Sequence, residues 1–183
     1  MDISPAPRPV LELRDIVKTY GGVHALDTVS FTLLPGEVHC LAGENGSGKS
    51  TLIKIISGVE TPDSGVIVVG GERHASMTPA SAIAAGVQVI YQDFSLFPNL
   101  SVAENIAMPR QRAVGGRFYS ARAARPIAQG IIDELGLALD LAADVAALSV
   151  ADKQLTAICR ALVSDAQIII MDEPTTALTG AEV

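Results

Sequence analysis

The sequence has no tryptophan, and three tyrosines with four phenylalanines make up only 4% of its 183 residues, so its core must be aliphatic. It has only two cysteines, Cys40 and Cys159, far apart in the chain. That excludes a disulfide scaffold and fits no zinc or dithiol spacing; both read as small buried hydrophobes in a reduced compartment. No apolar run approaches the roughly 18 residues a membrane span needs. The opening M-D-I-S-P-A-P-R-P-V lacks the basic-then-apolar order of a signal peptide. Basic residues are also scarce: 13 Lys and Arg face 20 Asp and Glu, a net charge of −7. Phosphate backbones demand clustered cations, so nucleic acid is excluded as a main partner. These absences predict a soluble, cytoplasmic chain.

What is present is enough for a fold. Hydrophobic residues reach 49% against 18% charged, which excludes disorder. A chain this long forms one domain and buries roughly 70% of its unfolded surface. Alternation in Val10–Ile16 predicts a strand, broken by Gly21-Gly22, and Leu26–Leu34 predicts another. Val38–Ala42 reads as a short buried strand. Leu52, Ile55 and Ile56 give the segment after Gly48 a helical period that ends at Gly58. Strands follow at Val66–Val69 and Val87–Tyr91, the second ending at Gln92. Helices are then predicted over Val102–Met108, Ala121–Leu135 and Val150–Val163, with a mobile loop at Gly115-Gly116. The chain returns to an apolar strand, Gln167–Met171, closed by Asp172-Glu173-Pro174.

Two segments carry chemistry. Gly43-Glu44-Asn45-Gly46-Ser47-Gly48-Lys49-Ser50 fits G-x-x-x-x-G-K-[ST] at every position. Glycines let backbone N–H groups close around phosphate oxygens, and a helix N-terminus behind them favours negative charge. Lys49 is expected to meet the β- and γ-phosphates and Ser50 to ligate Mg²⁺. Gly43, Asn45, Gly46, Ser47, Gly48, Lys49, Ser50 and the following Thr51 are the candidate nucleotide-binding residues. The second segment, Ile168–Glu173, delivers two carboxylates at the end of an apolar strand, where ligands of α/β sheets bind. Asp172 is expected in the metal shell, and Glu173 as the general base on the attacking water.

With these in order the chain resembles the nucleotide-binding subunit of ATP-binding-cassette (ABC) transporters over nearly its whole length. The resemblance places an adenine-stacking aromatic at Tyr20, in K-T-Y-G-G-V-H-A-L. It makes Gln92 the glutamine that senses Mg²⁺ and the attacking water. Leu148-Ser149-Val150-Ala151-Asp152-Lys153-Gln154 falls where the family has L-S-G-G-Q, so Ser149 is a candidate ATP contact. The stretches Gly43–Gly58, Phe97–Ile106 and Leu148–Ala151 are similar to the subfamily importing monosaccharides, in which one polypeptide usually carries two cassettes. The resemblance thus implies ATP and Mg²⁺ as cofactors, with catalysis by Glu173, Gln92 and Lys49. It implies as partners a second nucleotide-binding domain, transmembrane permease subunits and, indirectly, a solute-binding protein. The expected location is the inner face of the membrane.

The implied fold class is α/β: a P-loop NTPase core sheet, a small antiparallel β region and a helical insertion. Its parts are expected at 1–92 (β region and phosphate loop), 93–164 (mainly helical) and 165–183 (return to the core). The departures are informative. Ser149-Val150-Ala151-Asp152 also fits a capping box, with Leu155, Ile158, Cys159 and Leu162 as the core face of the helix behind it. Ser101–Glu104 fits a second capping box. Phe94, Leu96 and Phe97 read equally as an exposed patch near the permease or as core, and the arginines of 110–125 as a solvated face. Thr179 stands where many relatives place an aspartate. The family's switch histidine follows the acidic strand, whereas His24, His39 and His74 all precede it, so either the protein continues past Val183 or the cassette is incomplete. Two rivals remain: an ATP-binding regulatory cassette with little turnover, and a non-transport cytosolic ABC protein.

Overall fold

The computed structural model describes residues 7–113 and 120–172. The chain separates into two compact units, 1–88 and 89–183.

In the first unit, β1 (Leu11–Tyr20), β2 (Val23–Leu33), β3 (Ser64–Val69) and β4 (Glu72–His74) form an antiparallel sheet ordered β2-β1-β3-β4. The Gly21-Gly22 turn joins the first two strands, so β1 runs further than its alternation predicts. A parity problem explains how: Leu11 and Leu13 share one face, but the next apolar residue is Ile16, out of step. The strand bulges between them, with Asp15 at φ 51°, its amide donating to Ser30 Oγ at 2.9 Å. One extra residue turns Ile16 back into the core, where it is fully buried. Helix α1 (Lys49–Ile56) buries Leu52, Ile53, Ile55 and Ile56. A short helix α2 (Pro79–Ala84), capped reciprocally by Thr78 and Ser81, has no counterpart in the sequence reading.

The segment Val38–Ala42 corrects that reading. It forms no strand; Val38 is 97% exposed, and Cys40 is exposed as well. An apolar run becomes a buried strand only when neighbouring strands satisfy its backbone, and among the described residues no strand pairs with this one.

In the second unit, β5 (Val87–Ile90, starting at the unit boundary) pairs with β6 (Ile168–Met171). Helices α3 (Val102–Ala113), α4 (Ala121–Leu135) and α5 (Val150–Val163) pack around Val102, Ile106, Ala124, Ala128, Ile132 and Cys159. The buried stripe of α5 is Thr156, Ala157, Cys159, Ala161 and Val163, while Leu155, Ile158 and Leu162 are only half-buried. This corrects the predicted face: α5 packs on both sides, and small residues admit the close contacts. Ala157 and Ala161 meet Ile90 and Phe94. Phe94 therefore belongs to the core, Leu96 packs partly against it, and only Phe97, 49% exposed, keeps the patch character. Arg110, Arg122 and Arg125 are solvated as expected.

Candidate functional site

The phosphate loop is built around the start of α1. Gly48 is the N-cap residue at φ 88°, with no side-chain cap. A Cβ here would come within 2.3 Å of the Ala25 carbonyl oxygen and 2.8 Å of Leu26 Cδ2, so only glycine lets the loop lie against β2. Lys49 turns back into the loop: its Nζ donates to the carbonyls of Gly43 (2.6 Å) and Glu44 (2.8 Å) and approaches Ser47 Oγ at 3.3 Å. The loop itself closes through the Ser47 amide on the Glu44 carbonyl. Gly43, Asn45, Gly46 and Ser47 are exposed and Ser50 follows on the first turn of α1, also exposed. Among the described residues no other α-helix begins this way. Thr78, Ser101, Ser120 and Ser149 place hydroxyls on the first turns of α2, α3, α4 and α5. At α1 the orphan N–H groups and the positive dipole end are left for an anion.

Tyr20 ends β1 with 45% of its surface exposed. Burial raises its phenol above the ordinary value, and the neighbouring Glu60 carboxylate raises it further.

The second unit holds the remaining candidates. The Asp172 amide donates to the Ile90 carbonyl at 3.0 Å, which sets Asp172 across from the end of β5, two residues before Gln92. Gln92 is exposed and Asp172 half-buried. The two side chains assigned to the metal here therefore emerge from paired strands. Among the described residues no cluster of three or more His, Cys, Asp or Glu could hold an ion. Mg²⁺ beside a nucleotide takes one or two protein ligands and completes its shell with phosphates and water, a demand that the oxygen donors of Asp172 and Gln92 suit chemically. Glu173 and Thr179 lie outside the described residues.

Ser149 caps α5: its Oγ accepts from the Asp152 amide at 3.1 Å and donates to Asp152 Oδ2 at 2.9 Å. The Asp152 carboxylate is thereby turned onto the helix start. Upstream, Ser101 and Glu104 form the second expected box, at 2.7 to 3.3 Å. Two groups have no sequence signal and were missed. Arg160 donates to the carbonyls of Ser95 (2.8 Å) and Phe94 (3.1 Å), two residues held at φ 47° and 58° just after Gln92. Burial pulls its guanidinium down, with Asp93 partly opposing. Buried Asn105 ties the same loop through Phe97, Leu100 and Ser101.

An uncapped helix behind a glycine loop, with a lysine folded into it, defines a phosphate-loop nucleotide-binding protein. The profile described as "ABC transporter" matches residues 26–176, and the chain belongs to that family. It is 51% identical over 178 residues to the "Ribose import ATP-binding protein RbsA 2" of Streptomyces avermitilis, covering 97% of this chain and 35% of that one. It is 45% identical to the "Ribose import ATP-binding protein RbsA" of Rhodococcus jostii, over 100% of this chain and 36% of that one. The chain thus spans about a third of these curated relatives. Among solved structures it resembles an ATP-binding cassette of an ABC transporter in its ADP conformation, with TM-score 0.78 and 27% identity over 94% of this chain and 71% of the other. A nucleotide-free cassette matches with TM-score 0.76. The fold class expected from the sequence is the one these comparisons give.

Proposed function

We propose that this chain is an ATP-binding and ATP-hydrolysing cassette of a sugar importer. The observation that carries the reading is the uncapped start of α1, with Lys49 turned into the loop, on a chain half identical to a ribose import ATP-binding protein. The backbone of Gly43–Gly48 and the first turn of α1 cradle the phosphates, with Asn45, Ser47 and Thr51 beside them. Lys49 neutralises charge on the β- and γ-oxygens. Ser50, Asp172 and Gln92 hold Mg²⁺, which when bound offsets charge developing on the phosphoryl oxygens. Glu173 takes a proton from water as its oxygen bonds to the γ-phosphorus and the bond to the β-bridging oxygen breaks, releasing ADP and phosphate. Tyr20 stacks on the adenine.

The chain supplies the greater part of one nucleotide-binding domain. Its partners are a second cassette, closing head to tail over two ATP molecules with Ser149 facing the opposite site, and permease subunits that hold it at the inner membrane face. A solute-binding protein acts through the permease. Among the described residues no helix is long and apolar enough to cross a membrane. The test is calorimetric titration with Mg·ATP, followed by steady-state turnover with the permease present. Binding weakened about tenfold or more in Lys49→Ala supports the site; unchanged affinity removes it.

One observation favours a second reading, a regulatory cassette with little turnover: Ser149 already donates and accepts within its own helix start. Phosphate release at background level with the permease present would favour it.

A further inference from the structure

No step above uses the cluster around Lys18. This lysine lies on β1 with its side chain only 12% exposed, and its ammonium has three oxygen partners. They are Glu60 Oε1 at 2.8 Å, Asp63 Oδ1 at 3.4 Å and the Thr61 carbonyl at 2.7 Å. Withdrawing a lysine from water is costly unless its protons are met, and here they are. The ammonium also stands over the Tyr20 ring, 5.2 Å from its centroid. Lys18 and Tyr20 are two residues apart on one strand, so the pleat puts them on the same face. Between them the Thr19 amide donates to Asp63 Oδ2 at 2.7 Å, clamping β1 to the turn that supplies the carboxylates. The phenol end of the ring borders Glu60 and Thr51, the latter next to the Ser50 of the phosphate loop.

We propose that Lys18 is a positioning residue for the nucleobase: it fixes the plane of the Tyr20 ring and draws its π density toward one face, preparing the other to stack on an electron-rich purine. The inference rests on reading Tyr20 as the adenine platform. A lysine that only tied β1 to the Glu60–Asp63 turn would affect stability without separating base from phosphate. The two roles divide cleanly when ATP is compared with inorganic tripolyphosphate, which carries the phosphates and no ring.

The experiment measures affinity for both ligands, with Mg²⁺, in the full chain and in Lys18→Met, Lys18→Arg, Tyr20→Ala and the Lys18→Met/Tyr20→Ala double variant. Lys18→Met is expected to weaken ATP about 3- to 10-fold and leave tripolyphosphate unchanged. Lys18→Arg, which keeps a cation over the ring, recovers most of the loss. In the Tyr20→Ala background the Lys18→Met effect disappears. Should Lys18→Met fail to fold, Lys18→Gln, which removes the charge but keeps a polar tip, provides the same comparison. Equal weakening of both ligands overturns the proposal, as does a loss that persists without Tyr20. If Tyr20→Ala costs ATP nothing, the platform reading falls and takes the proposal with it. If Tyr20→Ala weakens ATP while Lys18→Met does not, Lys18 alone is misassigned.

Discussion

Helices α1 and α5 both begin at a segment proposed to meet nucleotide, yet their first turns are built in opposite ways. At α5 the chain supplies its own cap: Ser149 and Asp152 satisfy one another and the helix start. At α1 the cap position is Gly48, which has nothing to offer the orphan N–H groups. A glycine in place of a capping side chain forgoes only about 0.3 kcal/mol. The difference teaches where affinity for an anion comes from. It is produced by what the sequence withholds as much as by what it places there.

The largest effect should come from forcing a side chain onto the open start. Gly48→Ala must adopt a left-handed backbone, at about 1–2 kcal/mol, and push into β2, at about 1–3 kcal/mol more. Urea denaturation should show the loss, and a stability within experimental error of wild type would refute the close approach to Ala25. Next comes Lys49→Ala, which is expected to weaken triphosphate binding about 10- to 100-fold, as loss of charge-assisted hydrogen bonds does. Its melting temperature should hardly change, because the lysine's partners are loop carbonyls. Ser149→Ala is smaller: about 1 kcal/mol of stability, with nucleotide affinity of the isolated chain unaltered. A fall in that affinity would mean that α5, too, is a ligand site within one chain.

The smallest effect contrasts the approach to the phosphate loop with the interior of α5. Cys40, ahead of the phosphate loop, is exposed, whereas Cys159 is sealed inside α5 and burial pushes its thiol up to about 11. The folded state therefore favours the neutral thiol. That stabilisation is full below the ordinary value of 9.0 and is lost as pH rises through about 11. At pH 8, alkylation followed by mass spectrometry should modify Cys40 alone. Labelling of Cys159 at a comparable rate would show that α5 opens.

Much of this was legible because it is local. The glycine spacing of the phosphate loop, the Ser101–Glu104 box, the Ser149 half of the other box and the ends of α4 and α5 depend on neighbours within a few residues. What escaped depends on distant ones. The alternation of β1 could not reveal that a bulge at Asp15 restores Ile16 to the core. Val38–Ala42 looked like a strand because its residues suit one, but pairing is decided by other segments. Arg160 clasps a loop 65 residues earlier, a relation that no spacing announces. The Lys18–Tyr20 pair lay between the two cases: strand parity puts both on one face, yet the carboxylates that hold the lysine arrive from a turn some 40 residues on.

The exposed segment ahead of the phosphate loop has a mechanical meaning. On one side the loop is set into α1 and pressed on β2; on the other, residues 38–42 give it no wall. It is mounted as an arch: one foot is Gly48, wedged against β2, and the other is Gly43 and Glu44, whose carbonyls Lys49 holds. A triphosphate that draws Lys49 onto its own oxygens would release the second foot, so the loop's span should tighten or relax with the ligand while Ser50, on the first turn of α1, keeps its place.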